Sequence, residues 1–192
     1  MGFRSPVVGQ SVESAFTKKF RFFSHTAHEL KMEEIIDVNT GQVRFGRGDV
    51  VLRSLAIGSC IAVAAYDAEA RVGALAHIML PGKAPEDCPE KTRYAEDAIA
   101  EMIGLMVHGG SDESGIEVCL VGAGNVLQKE DDTICLANTR STVRIFEERN
   151  IPIRATALGG TERRSIFLDI GTGRVTFRKG EGQKEVLWRP SP

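Results

Sequence analysis

The run Cys60-Ile61-Ala62-Val63-Ala64-Ala65-Tyr66, the link Asp67-Ala68-Glu69-Ala70 and the run Arg71-Val72-Gly73-Ala74-Leu75-Ala76-His77-Ile78-Met79-Leu80 together decide the fold. Short apolar runs bounded by a turn read as buried strands. A link of this length makes them the two arms of an antiparallel hairpin. Pairing Tyr66 with Arg71 sets Cys60 opposite His77. Directly opposite residues share a sheet face, with Cβ atoms about 4.5–5.5 Å apart. A link one residue longer or shorter moves the register but keeps the two residues near each other.

A thiol beside an imidazole is the minimum equipment for nucleophilic attack on a carbonyl carbon. A free cysteine titrates at about 8.5, so at neutral pH it is mostly the weakly nucleophilic thiol. An apolar strand follows Cys60, not a helix, so no helix dipole favours the thiolate. His77 is then the group that takes the thiol proton and later delivers it to a leaving group. Gly58 and Ser59 form the turn before Cys60, and N–H groups there are candidates for an oxyanion hole. Ser54 lies six residues before Cys60 on the same strand parity, where its hydroxyl can meet the imidazole or the substrate. Each residue alone has a plainer reading. A lone cysteine is usually a small buried hydrophobe, a histidine on an apolar strand is usually a core residue, and turn serines make local hydrogen bonds. The register that joins Cys60 to His77 is what favours chemistry.

Composition narrows the function classes. A chain of 192 residues fits one domain, and 42% hydrophobic residues suffice for a core. A net charge of −2 and 6% aromatic residues give neither a basic footprint nor a base-stacking surface, so nucleic acid is not an expected partner. Cys60, Cys88, Cys119 and Cys135 show no C-x-x-C spacing, hence no disulfide framework and no zinc pattern. His25, His28 and Glu29 do not follow the H-E-x-x-H order. We expect neither metal nor organic cofactor. With no long apolar span, we expect a cytoplasmic protein without membrane insertion. Val121-Gly122-Ala123-Gly124-Asn125 lacks the third glycine of a dinucleotide loop and reads as a structural or site-wall loop.

Residues 1–34 read as a partly irregular extension carrying the basic-aromatic patch from Lys18 to Phe23, residues 35–182 as the domain and residues 183–192 as a tail. Strands are expected near 41–46 and 50–57, over the hairpin, and over 116–121, 153–157, 165–170 and 174–178. A helix is expected over 92–107, where Tyr94, Ala95, Ala98, Ile99, Met102, Ile103 and Met106 recur on one face. A second is expected from a cap at Asn138 or Thr139 through about Glu148. This order predicts an α+β domain. A mixed or antiparallel sheet packs against two main helices, with Cys60 and His77 on adjacent strands.

The segments Leu55-Ala56-Ile57-Gly58-Ser59-Cys60-Ile61-Ala62-Val63 and Val72-Gly73-Ala74-Leu75-Ala76-His77-Ile78-Met79-Leu80-Pro81 resemble the chemoreceptor glutamine deamidase family, CheD. Arg93-Tyr94-Ala95 and Ile134-Cys135-Leu136-Ala137-Asn138 extend the likeness, which covers roughly residues 35–180. The resemblance implies a cysteine hydrolase that converts glutamines of methyl-accepting chemotaxis receptors to glutamates through a thioester, releasing ammonia. It implies Cys60 as nucleophile and His77 as general base and acid. The family's third catalytic position holds a threonine, and Ser54 occupies it here. Serine keeps the hydroxyl but lacks the methyl that restricts its rotamer. Val121-Gly122-Ala123-Gly124-Asn125 stands where the family tends to have Gly-Gly-Ala, and Leu158-Gly159-Gly160 where it tends to have Thr-Gly-Gly. The resemblance also implies a CheC-type phosphatase as a possible partner. An alternative is a catalytically weak binding module that regulates such a phosphatase or a receptor.

Overall fold

The computed structural model describes Met1 and residues 34–131 and 133–191. The Lys18–Phe23 patch, His25 and His28 lie outside the described residues. Among those described, ten strands form two mixed five-stranded sheets. The outer sheet has the order β1 (Glu34–Asp37), β3 (Val50–Ile57), β8 (Arg164–Asp169), β9 (Arg174–Lys179), β10 (Glu185–Trp188). The central sheet has the order β2 (Val43–Arg47), β5 (Val72–Ile78), β4 (Ile61–Asp67), β6 (Glu117–Gly122), β7 (Ile153–Leu158). The helices are α1 (Ala95–His108) and α2 (Thr133–Glu148).

The α+β class is as expected, but the single sheet is not. Strand alternation explains the extra layer. Ile61, Val63 and Ala65 of β4 and Val72, Ala74, Ala76 and Ile78 of β5 share a core with Ala95, Ile99, Met102 and Met106 of α1. The intervening Ala62, Ala64, Tyr66 and Leu75 share a second core with Leu52, Ile57, Ile166 and Leu168 of the outer sheet. Every residue of β4 and β5 is therefore buried. A strand covered on both faces has no reason to alternate polar with apolar, which is why this hairpin is apolar throughout.

The hairpin register also differs from the expected one. β4 pairs Tyr66 with Gly73 and Ala62 with His77, and the ladder ends at Ile61 opposite Ile78. Asp67 causes the shift. Its carboxylate accepts the N–H groups of Glu69 at 2.9 Å and Ala70 at 3.0 Å, and Arg71 takes a left-handed φ of 52°. Arg71 thus belongs to the turn, and Asp67 to the strand opposite Val72. Each residue's partner moves by two positions, which slides contacts along the strand without exchanging its faces. Cys60 is displaced from directly opposite His77 to just past the end of the ladder, two residues beyond Ala62.

Two further expectations are corrected. α2 begins at Thr133, whose N–H is bonded to the Asp131 carboxylate at 3.2 Å, so Asn138 and Thr139 are interior residues and not caps. Glu185–Trp188, expected in a tail, pair with β9 as an edge strand.

One glycine shapes the approach of β6 to the hairpin. Gly122 has φ 126°, and a Cβ there would lie 2.3 Å from the Cys60 carbonyl oxygen and 2.7 Å from Ile57 Cγ2. The next N–H, of Ala123, bonds that carbonyl at 2.7 Å. We expect Gly122→Ala to cost more than the roughly 1–3 kcal/mol of the backbone conformation alone. Gly159→Ala is the control, with φ 75° but no atom within 4 Å of the added Cβ. Urea midpoints of the two variants check this: equal losses would show that the close approach to Cys60 contributes nothing.

Candidate active site

The site lies where the chain leaves the outer sheet at the end of β3 and enters the central sheet at β4. Before this crossing β3 carries a bulge: Ser54 pairs with Ile166, and pairing resumes only at Ile57 opposite Arg164. Ala56 sits in the bulge at φ 55°, its N–H bonded to Ser165 Oγ at 3.3 Å and its carbonyl to Arg163 Nη1 at 3.1 Å. Bulges re-aim side chains. Here Leu55 is exposed while Ser54 is buried between the sheets.

Ser54 and His77 meet across the intersheet space. Ser54 Oγ lies 2.8 Å from His77 Nδ1 and 2.8 Å from the Val38 carbonyl oxygen. A carbonyl only accepts, so the single hydroxyl proton goes to Val38. The second contact is then a bond in which His77 Nδ1–H donates to Ser54 Oγ. This assigns the neutral ring its tautomer, with the proton on Nδ1 and the lone pair on Nε2. Thr40 Oγ1 lies 3.4 Å from Nε2, a long contact. Burial pushes the His77 imidazole below its ordinary value of 6.5, with the Val38 carbonyl working the other way. The ring is therefore neutral at physiological pH.

We expect Ser54→Ala to release this constraint, leaving the Val38 carbonyl without its side-chain donor and the ring free to exchange tautomers. Nitrogen-15 shifts of the His77 ring check it. One Nδ1–H tautomer is expected in the parent protein and a mixture in the variant, with turnover lowered about 10- to 100-fold. An unchanged tautomer would remove the orienting role.

Cys60 lies at the end of the crossing turn and lines one cavity with Gly58, Ser59 and His77. Burial raises its thiol above the ordinary 9.0, while its own backbone N–H favours the thiolate. The resting pair is thus a neutral thiol and a neutral imidazole. By contrast, Cys119 is buried between the sheets with its thiol pushed up to about 12, and serves as a core residue.

The carbonyls of the turn all face protein. Gly58 O accepts from Gly124 N–H at 2.8 Å, Cys60 O from Ala123 N–H, and Ser59 O from Asn138 Nδ2 at 2.9 Å. Gly58 needs no special backbone conformation, and a Cβ there would meet only Val126 Cγ2 at 3.6 Å. Its part is to leave room in the cavity wall.

The cavity, about 330 Å³, runs from Thr40 and Leu55 past Cys60 to the loop 124–131 and the first turn of α2. A second cavity of about 390 Å³ lies beside it, and the two share Thr40, Leu55 and His77. Leu55, Leu127 and Ile134 are exposed at the rim, Leu127 by 75%. Arg163, Lys129 and Asp131 supply charge around the same opening.

Four of these residues had no place at the site in the sequence reading. Thr40, Arg163 and Leu127 come from loops remote in sequence and carry no local signal. Asn138 did carry one. Counting back from Phe146 and Ile145, the buried stripe of α2 runs through Thr142, Asn138 and Cys135, and a carboxamide on a core stripe marks a polar task. Among the described residues no group of three or more His, Cys, Asp and Glu side chains is placed to hold a metal ion. None of the described helices is long and apolar enough to cross a membrane.

A family model described as CheD chemotactic sensory transduction matches residues 79–179, starting just after the strand that carries His77. A probable chemoreceptor glutamine deamidase CheD of Chlorobium luteolum is 41% identical over 150 residues, covering 78% of this chain and 75% of that protein. The chemoreceptor glutamine deamidase CheD of Thermotoga maritima is 28% identical over 156 residues, covering 81% and 97%. Among solved structures, the Bacillus licheniformis hypothetical protein YfiH aligns with a TM-score of 0.41 at 12% identity over 67% of this chain and 59% of that one, too distant to bear on function. The chain belongs to the CheD family.

Proposed function

We propose that this protein deamidates glutamine side chains of chemotaxis receptors to glutamate, with Cys60 as nucleophile, His77 as general base and acid, and Ser54 as the group that orients the imidazole. The observation that carries this reading is the buried Ser54–His77 bond, which leaves the Nε2 lone pair available in a ring that lines the same cavity as Cys60.

In the first step the Cys60 thiol proton passes to His77 Nε2, and Sγ bonds to the carboxamide carbon. The carbonyl π pair moves to oxygen. N–H groups of the Gly58–Cys60 turn face the developing oxyanion, each such donor being worth about 2.7–4 kcal/mol where measured. The oxyanion collapses, the C–N bond breaks, and His77 gives its proton to the nitrogen, which leaves as ammonia. Water then attacks the thioester as His77 takes its proton, and the C–S bond breaks to restore the thiol. The sum is glutamine plus water giving glutamate plus ammonia, with no metal or cofactor in any step.

The names of the relatives supply the receptor as substrate, and the shape of the opening fits it. Two adjoining cavities with an exposed apolar rim suit a residue presented on a helix surface better than a free amino acid. None of the described cysteines is in a disulfide, in keeping with a cytoplasmic location. A CheC-type phosphatase as second partner rests on the family resemblance alone. Mass spectrometry of receptor co-expressed with this protein tests the proposal, by the mass increase that accompanies replacement of an amide NH₂ by OH. Receptor glutamines left unchanged by the intact protein would favour the binding-module alternative.

A further inference from the structure

We propose that Asn138 is a positioning residue whose carboxamide ties the turn carrying Cys60 to the end of the strand carrying His77. This rests on the pairing of Cys60 with His77 proposed above. The β4–β5 ladder ends at Ile61 opposite Ile78, so the next residues, Cys60 and Met79, are outside it. Asn138 Nδ2 bridges the gap, donating one hydrogen to Ser59 O at 2.9 Å and one to Met79 O at 3.1 Å. Both partners are carbonyls and only accept, so the nitrogen must face them.

The amide is fully buried, and its Oδ1 has no hydrogen-bond partner. A buried acceptor left unpaired costs stability, so packing alone does not account for an amide here. Its two N–H bonds do. They hold the Ser59 carbonyl toward α2. In a trans peptide the following N–H points the opposite way, which directs the Cys60 N–H away from α2, on the side of its own Sγ. The neighbouring turn carbonyls, of Gly58 and Cys60, are held by backbone N–H groups. Ser59 O is the one held by a side chain, so Asn138 is the position at which a substitution frees the nucleophile turn without cutting the backbone ladder. α2 is a firm base for it, since Asn138 stands on the same buried stripe as Cys135, Thr142 and Phe146.

The test compares Asn138→Ala and Asn138→Asp with the parent protein by receptor deamidation kinetics and by crystal structure. For folded Asn138→Ala we expect kcat to fall about 100-fold, with KM within about threefold, because a misplacement of roughly 1 Å has that effect. In the crystal structure we expect the Ser59–Cys60 peptide to be displaced from the parent position. Asn138→Asp, whose buried acid when protonated donates to one carbonyl, is expected to fall between the two, and it carries the test alone if Asn138→Ala does not fold. A kcat within threefold of the parent, or a turn that superimposes on it, overturns the inference and leaves the deamidase reading standing. If the parent protein does not deamidate receptor, the deamidase reading fails by itself. The inference then stands on a displaced turn and falls on a superimposed one.

Discussion

Cys60→Ala is expected to bring receptor deamidation down to background, a loss on the order of 10⁴–10⁶-fold, as removal of a hydrolase nucleophile does elsewhere. The fold should survive it. Cys60 is only partly buried, lies outside the strands and packs at the margin of the intersheet core, so loss of its sulfur leaves no large internal cavity. Ammonia release from purified receptor, read beside the thermal midpoint, separates the two effects. Equal release by parent and variant would sink the nucleophile assignment. Cys60→Ser sharpens the result: the hydroxyl is nearly the same size but far less readily ionised, so it too should be inactive while remaining folded. The reading of Cys60 as a small buried hydrophobe predicts the opposite, with both variants turning over normally. Among the other cysteines the comparison is Cys119, whose burial between the sheets makes substitution a matter of stability alone.

His77→Gln is expected to lower kcat by about 10²–10⁴-fold, the usual worth of a positioned general base and acid. The same variant should change how stability depends on pH. Burial holds the folded His77 pKa below 6.5. Above 6.5 the ring is neutral in both folded and unfolded chains and contributes no pH dependence. Below 6.5 the unfolded chain takes up a proton that the folded ring resists. Stability therefore falls as pH drops from 6.5 toward the lowered folded value and levels off beneath it. Glutamine has no proton to take up, so His77→Gln should lack this contribution to the slope. Urea midpoints at about pH 7.5 and about pH 5 measure it; identical slopes in parent and variant would mean that the ring is not held neutral by burial. The activity profile follows from the same directions. With His77 lowered and the Cys60 thiol raised above 9.0, kcat/KM should stay level from below 6.5 to above 9.0, its limbs reporting the pair and not either residue singly. An acid limb at or above 6.5 would contradict the burial argument.

The hairpin, the two helices and most strands were legible because short apolar runs, turn residues and a 3.6-residue stripe are local signals. The second sheet was legible only in part. A strand covered on both sides and a strand covered on one by helices look alike when the residues are alanine, valine and isoleucine. The register of the hairpin was read two positions out, and the error came from one side chain. Asp67 binds two turn N–H groups and pulls Arg71 into the turn, a choice that spacing alone leaves open. Reading Asn138 as a cap failed because α2 extends a turn and more toward its N-terminus, where the Asp131 carboxylate supports it.

The sequence by itself put Cys60 and His77 on one side of the expected hairpin, because face follows from parity, and a two-position change of partner leaves the faces of each strand where they were. It also carried the family, through the Gly-Ser-Cys and Ala-His-Ile-Met-Leu-Pro segments. Only the tertiary structure decided which nitrogen of His77 holds the proton and which groups hold the turn at Cys60. Those facts depend on Val38, Ser54 and Asn138 arriving from a loop after β1, from the opposite sheet and from α2. Contacts between elements distant along the chain are set by how the layers pack, and packing leaves no periodic trace in the sequence.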